Sequence, residues 1–308
     1  MAFSILLSHI LLLDDEPNTS QKENTDCVLV MNIRIVEKIS LPSLSPSSFF
    51  EQFQKTGQPL VITDAFNSIA PISLETIKDN LRDENLTARH YGTERFGKPK
   101  TEWDGYCDLK ETNIQKYGDL LTSGEANRNN IYLAQISVGH TPLGKILRPL
   151  INTLGQKTGL RAHPSNDINL WLGPNEHLEP LHFDGLDGTL IQLRGSKRIS
   201  LFPPKSTRLL YPFPLLGGAL GPNFSKVYIK QPDLKVFPNI EKATKDKMVA
   251  IIDEGELLFI PQGWWHEVEA QSDDFVCSIN RFWSMNPKRR FLSSPRASFI
   301  YFVSKFMN

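Results

Sequence analysis

The 308-residue chain carries 34 basic and 34 acidic side chains and has a pI near 7.1, so no global field favours polyanions or acidic membranes. Its 40% hydrophobic content is enough for a sizeable core in one large domain or two smaller ones. The three cysteines, Cys27, Cys107 and Cys277, are odd in number and widely spaced. That argues against a disulfide framework or a zinc knot and for a reducing compartment: the cytoplasm or, in a eukaryote, the nucleus.

The opening MAFSILLSHILLL is apolar but too short to span a bilayer, and it lacks the positive flank of a secretory signal. The polar DDEPNTSQKENTD after it cannot bury enough apolar surface to order itself, so residues 1–30 read as a disordered extension, with Met31 as an alternative start. Residues 31–165 form a mixed α+β part. MNIRIVEKI reads as a strand, and SSFFEQFQKTG as a helix with a capping box from Ser48 to Glu51 and a stop at Gly57. PLVITDAF reads as a buried strand, and SLETIKDNL as a helix with Leu74, Ile77 and Leu81 on one face. In TPLGKILRPLINTLGQKTG the residues Leu143, Ile146, Leu147, Leu150, Ile151 and Leu154 follow the helical period, and Pro149 is expected to kink or delay that helix.

Residues 166–285 carry strand signals separated by turns: DINLWLG, LHFD, GTLIQLR, KRISLFP, KVYIKQ, MVAIID, GELLFIP and FVCSINRFW. Short strands without helical crossovers indicate a mainly β sandwich or barrel. Gly195-Ser196 between LIQLR and KRISLF reads as a two-residue hairpin turn. On that reading Lys197 shares a face with Ile199 and Leu201, where a lysine either meets an anion or sits at a strand end and snorkels outward.

In LHFD, extended backbone places His182 and Asp184 on one side, with Leu181 and Phe183 on the other. Downstream, the turn Pro261-Gln262-Gly263 delivers Trp264, Trp265 and His266. Two imidazoles and one carboxylate make the set that binds non-haem Fe(II) on one face and leaves the opposite positions open. A curled antiparallel barrel could bring the distant His266 to the His-x-Asp pair. Singly, a strand histidine is more often a hydrogen-bonded core residue, and paired tryptophans are usually packing.

The ordered motifs YLAQ, LHFD, GSKRISLFPP, LYPFP, GELLFIPQGWWHEV and SINRFW resemble the Jumonji C (JmjC) family of Fe(II)- and 2-oxoglutarate-dependent oxygenases in the cupin superfamily, over residues 59–283. The likeness is to the small protein hydroxylases of the type that inhibits hypoxia-inducible factor. It implies a double-stranded β-helix, the cupin jelly roll, with flanking helices, and a reaction that consumes O2 and 2-oxoglutarate, releases succinate and CO2 and hydroxylates a C–H bond. Carried over by position, it makes His182, Asp184 and His266 the iron ligands, matches Lys197 and Tyr132 to the residues that bind the distal carboxylate of 2-oxoglutarate, and places Asn280 near the metal-binding end of that cosubstrate. Trp264, Trp265 and Phe202 are expected to keep the site dry.

Two positions depart from the family pattern. Glu179 stands where these hydroxylases carry Thr or Ser for the distal carboxylate, and Gly188 replaces an occasional asparagine, with Thr189 beside it as a substitute. An acid at position 179 repels a dianion unless it turns away or pairs with Lys197. The substrate expected is a protein or peptide side chain. The alternatives are an RNA nucleoside or small molecule, and a cupin that holds metal without turnover. His90, His140, His163 and His177 show no partner spacing. PKRRFLSSPR reads as a solvated connector, with RNA contact as the alternative, leading into a C-terminal helix in the tail 286–308 that docks on the domain or on a second subunit.

Overall fold

All but one of the strands predicted after residue 166 are present, and most successive ones fall in opposite sheets. The computed structural model describes residues 34–65, 72–163, 167–216, 220–284 and 288–307; the extension 1–30, including Cys27, and the alternative start Met31 lie outside them. In chain order the first strands are β1 (Arg34–Ile35), β2 (Lys38–Ser40), β3 (Leu60–Thr63), β4 (Leu86–His90), β5 (Asp108–Thr112), β6 (Ile131–Ser137) and β7 (Asn169–Pro174). They are followed by β8 (Leu178–Phe183), β9 (Asp187–Arg194), β10 (Ser196–Phe202), β11 (Met248–Ile252), β12 (Leu257–Ile260), β13 (Trp265–Gln271) and β14 (Phe275–Trp283). One sheet has the order β1-β11-β10-β13-β8 and the other β2-β3-β12-β9-β14-β7-β6-β4-β5. From β8 onward the chain passes back and forth between them, the topology of a jelly roll.

The two-residue hairpin is not formed. β9 pairs with β12 and β14, whereas β10 pairs with β11 and β13. Gly195, at φ 68°, is the corner where the chain leaves one sheet for the other, and a Cβ there would meet Ser272 at 3.0 Å. A Gly-Ser punctuation between two strands reads alike whether the strands pair or switch sheets. The facing inferred for Lys197 holds all the same: it is buried with Ile199 and Leu201. KVYIKQ is not a strand; its alternation marks one buried side chain, Val227, whose N–H donates to Ser225 Oγ at 3.0 Å within a turn-rich loop.

Among the helices, α1 (Pro46–Phe49) starts one turn earlier than predicted. Ser45 and Ser48 form the capping box, Pro46 occupies the first turn, and Glu51 pairs instead with Lys55. After α2 (Leu74–Asn80), α3 (Ile114–Thr122) and α4 (Glu125–Arg128), α5 (Pro142–Thr158) runs through Pro149 as one helix. Pro149 and Lys145, whose carbonyl loses its partner, both lie on the exposed side, where water can satisfy that oxygen. Ile146 joins that side, while Leu143, Leu147, Leu150, Ile151 and Leu154 are buried. α6 (Ile240–Thr244) and α7 (Pro295–Met307) complete the set.

Three apolar clusters order the layers. Leu190, Ile199, Leu201, Ala250, Leu258, Ile260 and Val268 come from both sheets and fill part of the space between them. Leu60, Ile191, Leu193, Phe259 and Ile279 join the helical residues Phe49, Ile77 and Leu147 on the outside of the larger sheet. Phe183, Phe202 and Trp265 join Ala297 of α7 on the outside of the smaller one.

The segment after β14 is a staple and not a solvated connector. Arg290 is buried and donates to Asp187 Oδ2 at 2.9 Å, while Asp187 Oδ1 accepts from the Gln262 N–H at 2.9 Å. Replacing Arg290 by Met strands a buried carboxylate and is expected to cost about 3–5 kcal/mol, read as a lowered denaturant midpoint. Adding Asp187→Asn should recover much of that loss.

Candidate metal centre and ligand cavity

His182 and His266 face each other across adjacent strands. They are directly paired in the β8–β13 ladder, with ring centroids 4.3 Å apart. Asp184 follows β8, and His266 Nε2 lies 3.6 Å from its Oδ2. One ligand atom from each of His182, Asp184 and His266 falls within 4.8 Å of the others.

The backbone sets the tautomers of both rings. His182 Nδ1 is 2.8 Å from the Pro180 carbonyl and His266 Nδ1 is 3.0 Å from the Trp264 carbonyl. A carbonyl only accepts, so each Nδ1 carries the proton and each Nε2 keeps its lone pair for a metal. Burial pushes the His266 pKa down to about 4, which keeps that ring neutral. Two neutral nitrogens and a carboxylate on one side of an open cavity fit Fe(II) with free positions opposite.

The cavity beside the triad encloses about 440 Å³ between the two sheets. Away from the triad, Lys197 Nζ donates to Ser278 Oγ at 2.6 Å and lies 3.5 Å from the Tyr132 hydroxyl. Burial pushes this amine down to about 8, and among the described residues no carboxylate lies within ion-pair distance of it. The Tyr132 ring stacks on His177, with centroids 3.7 Å apart. The ring also needs the bare Gly173 of β7, where a Cβ would fall 1.9 Å from Tyr132 Cδ2. Gly173→Ala is therefore expected to cost about 1–3 kcal/mol through overpacking. A Gly173→Ala/Tyr132→Ala pair should lose less than the sum of the two single variants, measured by denaturant unfolding.

Asn280 on β14 borders the cavity, and its Oδ1 accepts from Trp171 Nε1 at 2.9 Å, which leaves the amide N–H2 to donate elsewhere. Thr189 also borders it; its hydroxyl accepts from Trp283 Nε1 at 2.9 Å and keeps its own O–H to donate. Trp264, Trp265 and Phe202 do not line the cavity. Trp265 alternates with His266 along β13 and packs with Phe202 outside the smaller sheet, and Trp264 Nε1 donates to the Gly57 carbonyl at 2.8 Å. The aromatic walls are Trp171, Phe224 and Phe282.

Sequence reasoning missed Arg89 and His177 among the lining residues. A second His-x-acid pair, His177 and Glu179, was the available signal, but it lacked a third partner at metal spacing. His177 Nδ1 bonds Asn130 Oδ1 at 2.8 Å, and burial lowers its pKa to about 4. Its Nε2 lies 3.8 Å from Glu179 Oε2, too far for a hydrogen bond. Burial raises the Glu179 carboxyl, but His177, His182 and Arg89 outweigh it and hold the group near 2.

Comparison with known proteins places these residues in context. The family described as Cupin-like domain matches residues 46–289. The chain is 34% identical over 177 residues to lysine-specific demethylase JMJ31 of Arabidopsis thaliana, covering 56% of this chain and 31% of that protein. It is 36% identical over 125 residues to HSPB1-associated protein 1 of Mus musculus, covering 40% and 25%. With lysine-specific demethylase 8 of Xenopus tropicalis the identity is 35% over 117 residues, covering 38% and 25%. The matched segments thus span less than a third of the length of each of these relatives.

Proposed function

The chain belongs to the cupin-like domain family, and from that premise we propose that it is an Fe(II)- and 2-oxoglutarate-dependent oxygenase that hydroxylates a protein side chain. The observation that carries this is the convergence of His182, Asp184 and His266 within 4.8 Å, with both Nε2 lone pairs directed by backbone carbonyls. Iron, 2-oxoglutarate and O2 supply the oxidising chemistry, in which decarboxylation to succinate and CO2 accompanies insertion of one oxygen atom into a C–H bond.

The residues of the chain bind, orient and exclude. His182, Asp184 and His266 hold the metal. Lys197 and Tyr132 receive the far end of the cosubstrate, whose charge stabilises the Lys197 ammonium against the burial that otherwise weakens it. The Asn280 amide orients the near end, and Trp171, Phe224 and Phe282 limit water around the reacting atoms.

An apolar rim favours a peptide over a nucleic acid. Leu220 and Phe224 line the cavity, and Leu215 and Leu216 are exposed on the same loop. The lining cations, Arg89 and Lys197, lie on the Glu179 side instead. The relatives named as lysine-specific demethylases extend the reading to a methylated lysine, because hydroxylation of an N-methyl group leads to its loss. The C-terminal helix α7 buries Ala297 and exposes Phe299 and Phe302, which supports a homodimer contact through this segment. Among the described residues no helix is long and apolar enough to cross a membrane. Cys107 and Cys277 are free thiols, in keeping with a cytoplasmic or nuclear setting.

The test is incubation of the Fe(II)-loaded protein with 2-oxoglutarate, O2 and peptide libraries that include methylated lysines. Succinate release coupled to a peptide that gains and keeps one oxygen atom supports hydroxylation. A methyl group lost as formaldehyde replaces that reading with demethylation, and no coupled turnover in any library contradicts a protein substrate.

A further inference from the structure

The residues of the triad are placed by two different means. His182 and His266 are partners in the β8–β13 ladder, which fixes their backbones against each other. Asp184 lies beyond the end of β8, in the short corner before β9, and no ladder holds it. That corner is tied instead to the turn that precedes His266. The Gly263 N–H donates to the Asp184 carbonyl at 3.0 Å, Gln262 Nε2 donates to the Gly185 carbonyl at 3.1 Å, and the Gln262 N–H donates to Asp187 Oδ1 at 2.9 Å.

Gln262 is 1% exposed and does not line the cavity, and its Oε1 is buried without a hydrogen-bond partner. A buried amide with one end unmet costs stability, so what singles out Gln262 is the bond its other end makes to the Asp184 corner. Helix α7 closes over the same two segments. Ser294 at its start, Ala297, Ser298 and Tyr301 fall on one face, at i, i+3, i+4 and i+7. A Cβ at Gly263 would lie 2.1 Å from Ser294 Oγ, and one at Gly185 would lie 3.2 Å from Tyr301 Cβ. Ser298 Oγ lies 3.5 Å from Gln262 Nε2. The Gln262 amide therefore bridges the corner that carries Asp184, the turn that delivers His266 and the helix packed on both.

We infer that Gln262 is a positioning residue for the metal centre: its amide holds the Asp184 corner so that the carboxylate meets a divalent cation together with His182 and His266. The inference rests on the reading of the triad as a metal centre. Without that bond the corner is free to move, and binding a cation has to order it at a cost in conformational entropy. Gln262 itself touches neither metal nor substrate.

The experiment titrates Mn(II) into the metal-free protein, following loss of the free ion's electron paramagnetic resonance signal, in wild type, Gln262→Met, Gln262→Asn and Leu147→Ala. The denaturant midpoint of each metal-free protein is measured alongside. Methionine keeps the length and removes the donor, whereas asparagine keeps the amide and falls short of the Gly185 carbonyl. Both should weaken Mn(II) binding by about 10- to 100-fold, the range for outer-shell partners of a metal ligand. Leu147→Ala opens a hole in the packing of α5, so it should lower the midpoint more than either Gln262 variant and leave the Mn(II) affinity unchanged. Wild-type affinity in the Gln262 variants overturns the inference and leaves the metal centre standing. An affinity that simply follows the midpoint across all three variants, or loss of the fold in both Gln262 variants, overturns it too and makes Gln262 a packing residue. A wild-type protein that binds no Mn(II) overturns the inference and the metal-centre reading together.

Discussion

His266→Ala is expected to remove Fe(II) binding and to lower turnover by more than the ~10- to 100-fold that loss of an outer-shell partner costs a metal site. On the proposed reading His266 is one of two imidazole ligands, and no other His, Cys, Asp or Glu joins the three-residue cluster among the described residues. The fold should survive, because the lost ring borders the cavity and the neighbouring Trp265 packs on the opposite face. Metal content measured after dialysis, with circular dichroism as the fold control, checks this. Iron retained at one equivalent per chain would count against the assignment of His266 as a ligand.

Lys197→Met separates stability from binding. In the free protein the ammonium is buried, has no carboxylate within ion-pair distance, and is pushed down to about 8 by burial. An apolar side chain of similar length removes that desolvated charge, so unfolding free energy should stay level or rise. Binding of 2-oxoglutarate should weaken by about 2–5 kcal/mol, roughly 30- to several-thousand-fold, because the tail loses its buried cation. The pH dependence has a definite sign. The binding form of Lys197 is the protonated one, fully present below about 8, so wild-type affinity is flat below that value and falls above it, and the Met variant lacks the fall. Equal losses of stability and affinity in Lys197→Met would instead make Lys197 a packing residue.

The sequence carried much of this site because its signals are local. The His-x-Asp pair, the Gly263 turn before His266 and the shared face of Lys197, Ile199 and Leu201 all follow from strand alternation. Alternation also predicts that Trp265 points away from His266, a consequence that the resemblance to known oxygenases obscured. What stayed hidden depends on partners distant in the chain. Gly195 gives one local signal for both a hairpin and a sheet-switching corner, and only the pairing of β9 with β12 and β14 decides between them. Arg290 looked solvated because its partner, Asp187, is 103 residues away. The inward turn of Glu179 comes from a bulge defined against β13, and no period within β8 encodes it. His177 is quiet for a similar reason, since Asn130 and Tyr132 reach it from another strand and its approach.

The most direct test of the central claim, that one cavity holds iron at its triad and a 2-oxo acid between the triad and Lys197, is an anaerobic titration of the Fe(II)-loaded protein with 2-oxoglutarate, following the visible charge-transfer band of the chelated cosubstrate. The account predicts a saturable band in wild type, none in His182→Ala, and a midpoint shifted to much higher concentration in Lys197→Met. Bound iron with no band at saturating 2-oxoglutarate would contradict it and leave a metal-holding cupin that does not use this cosubstrate.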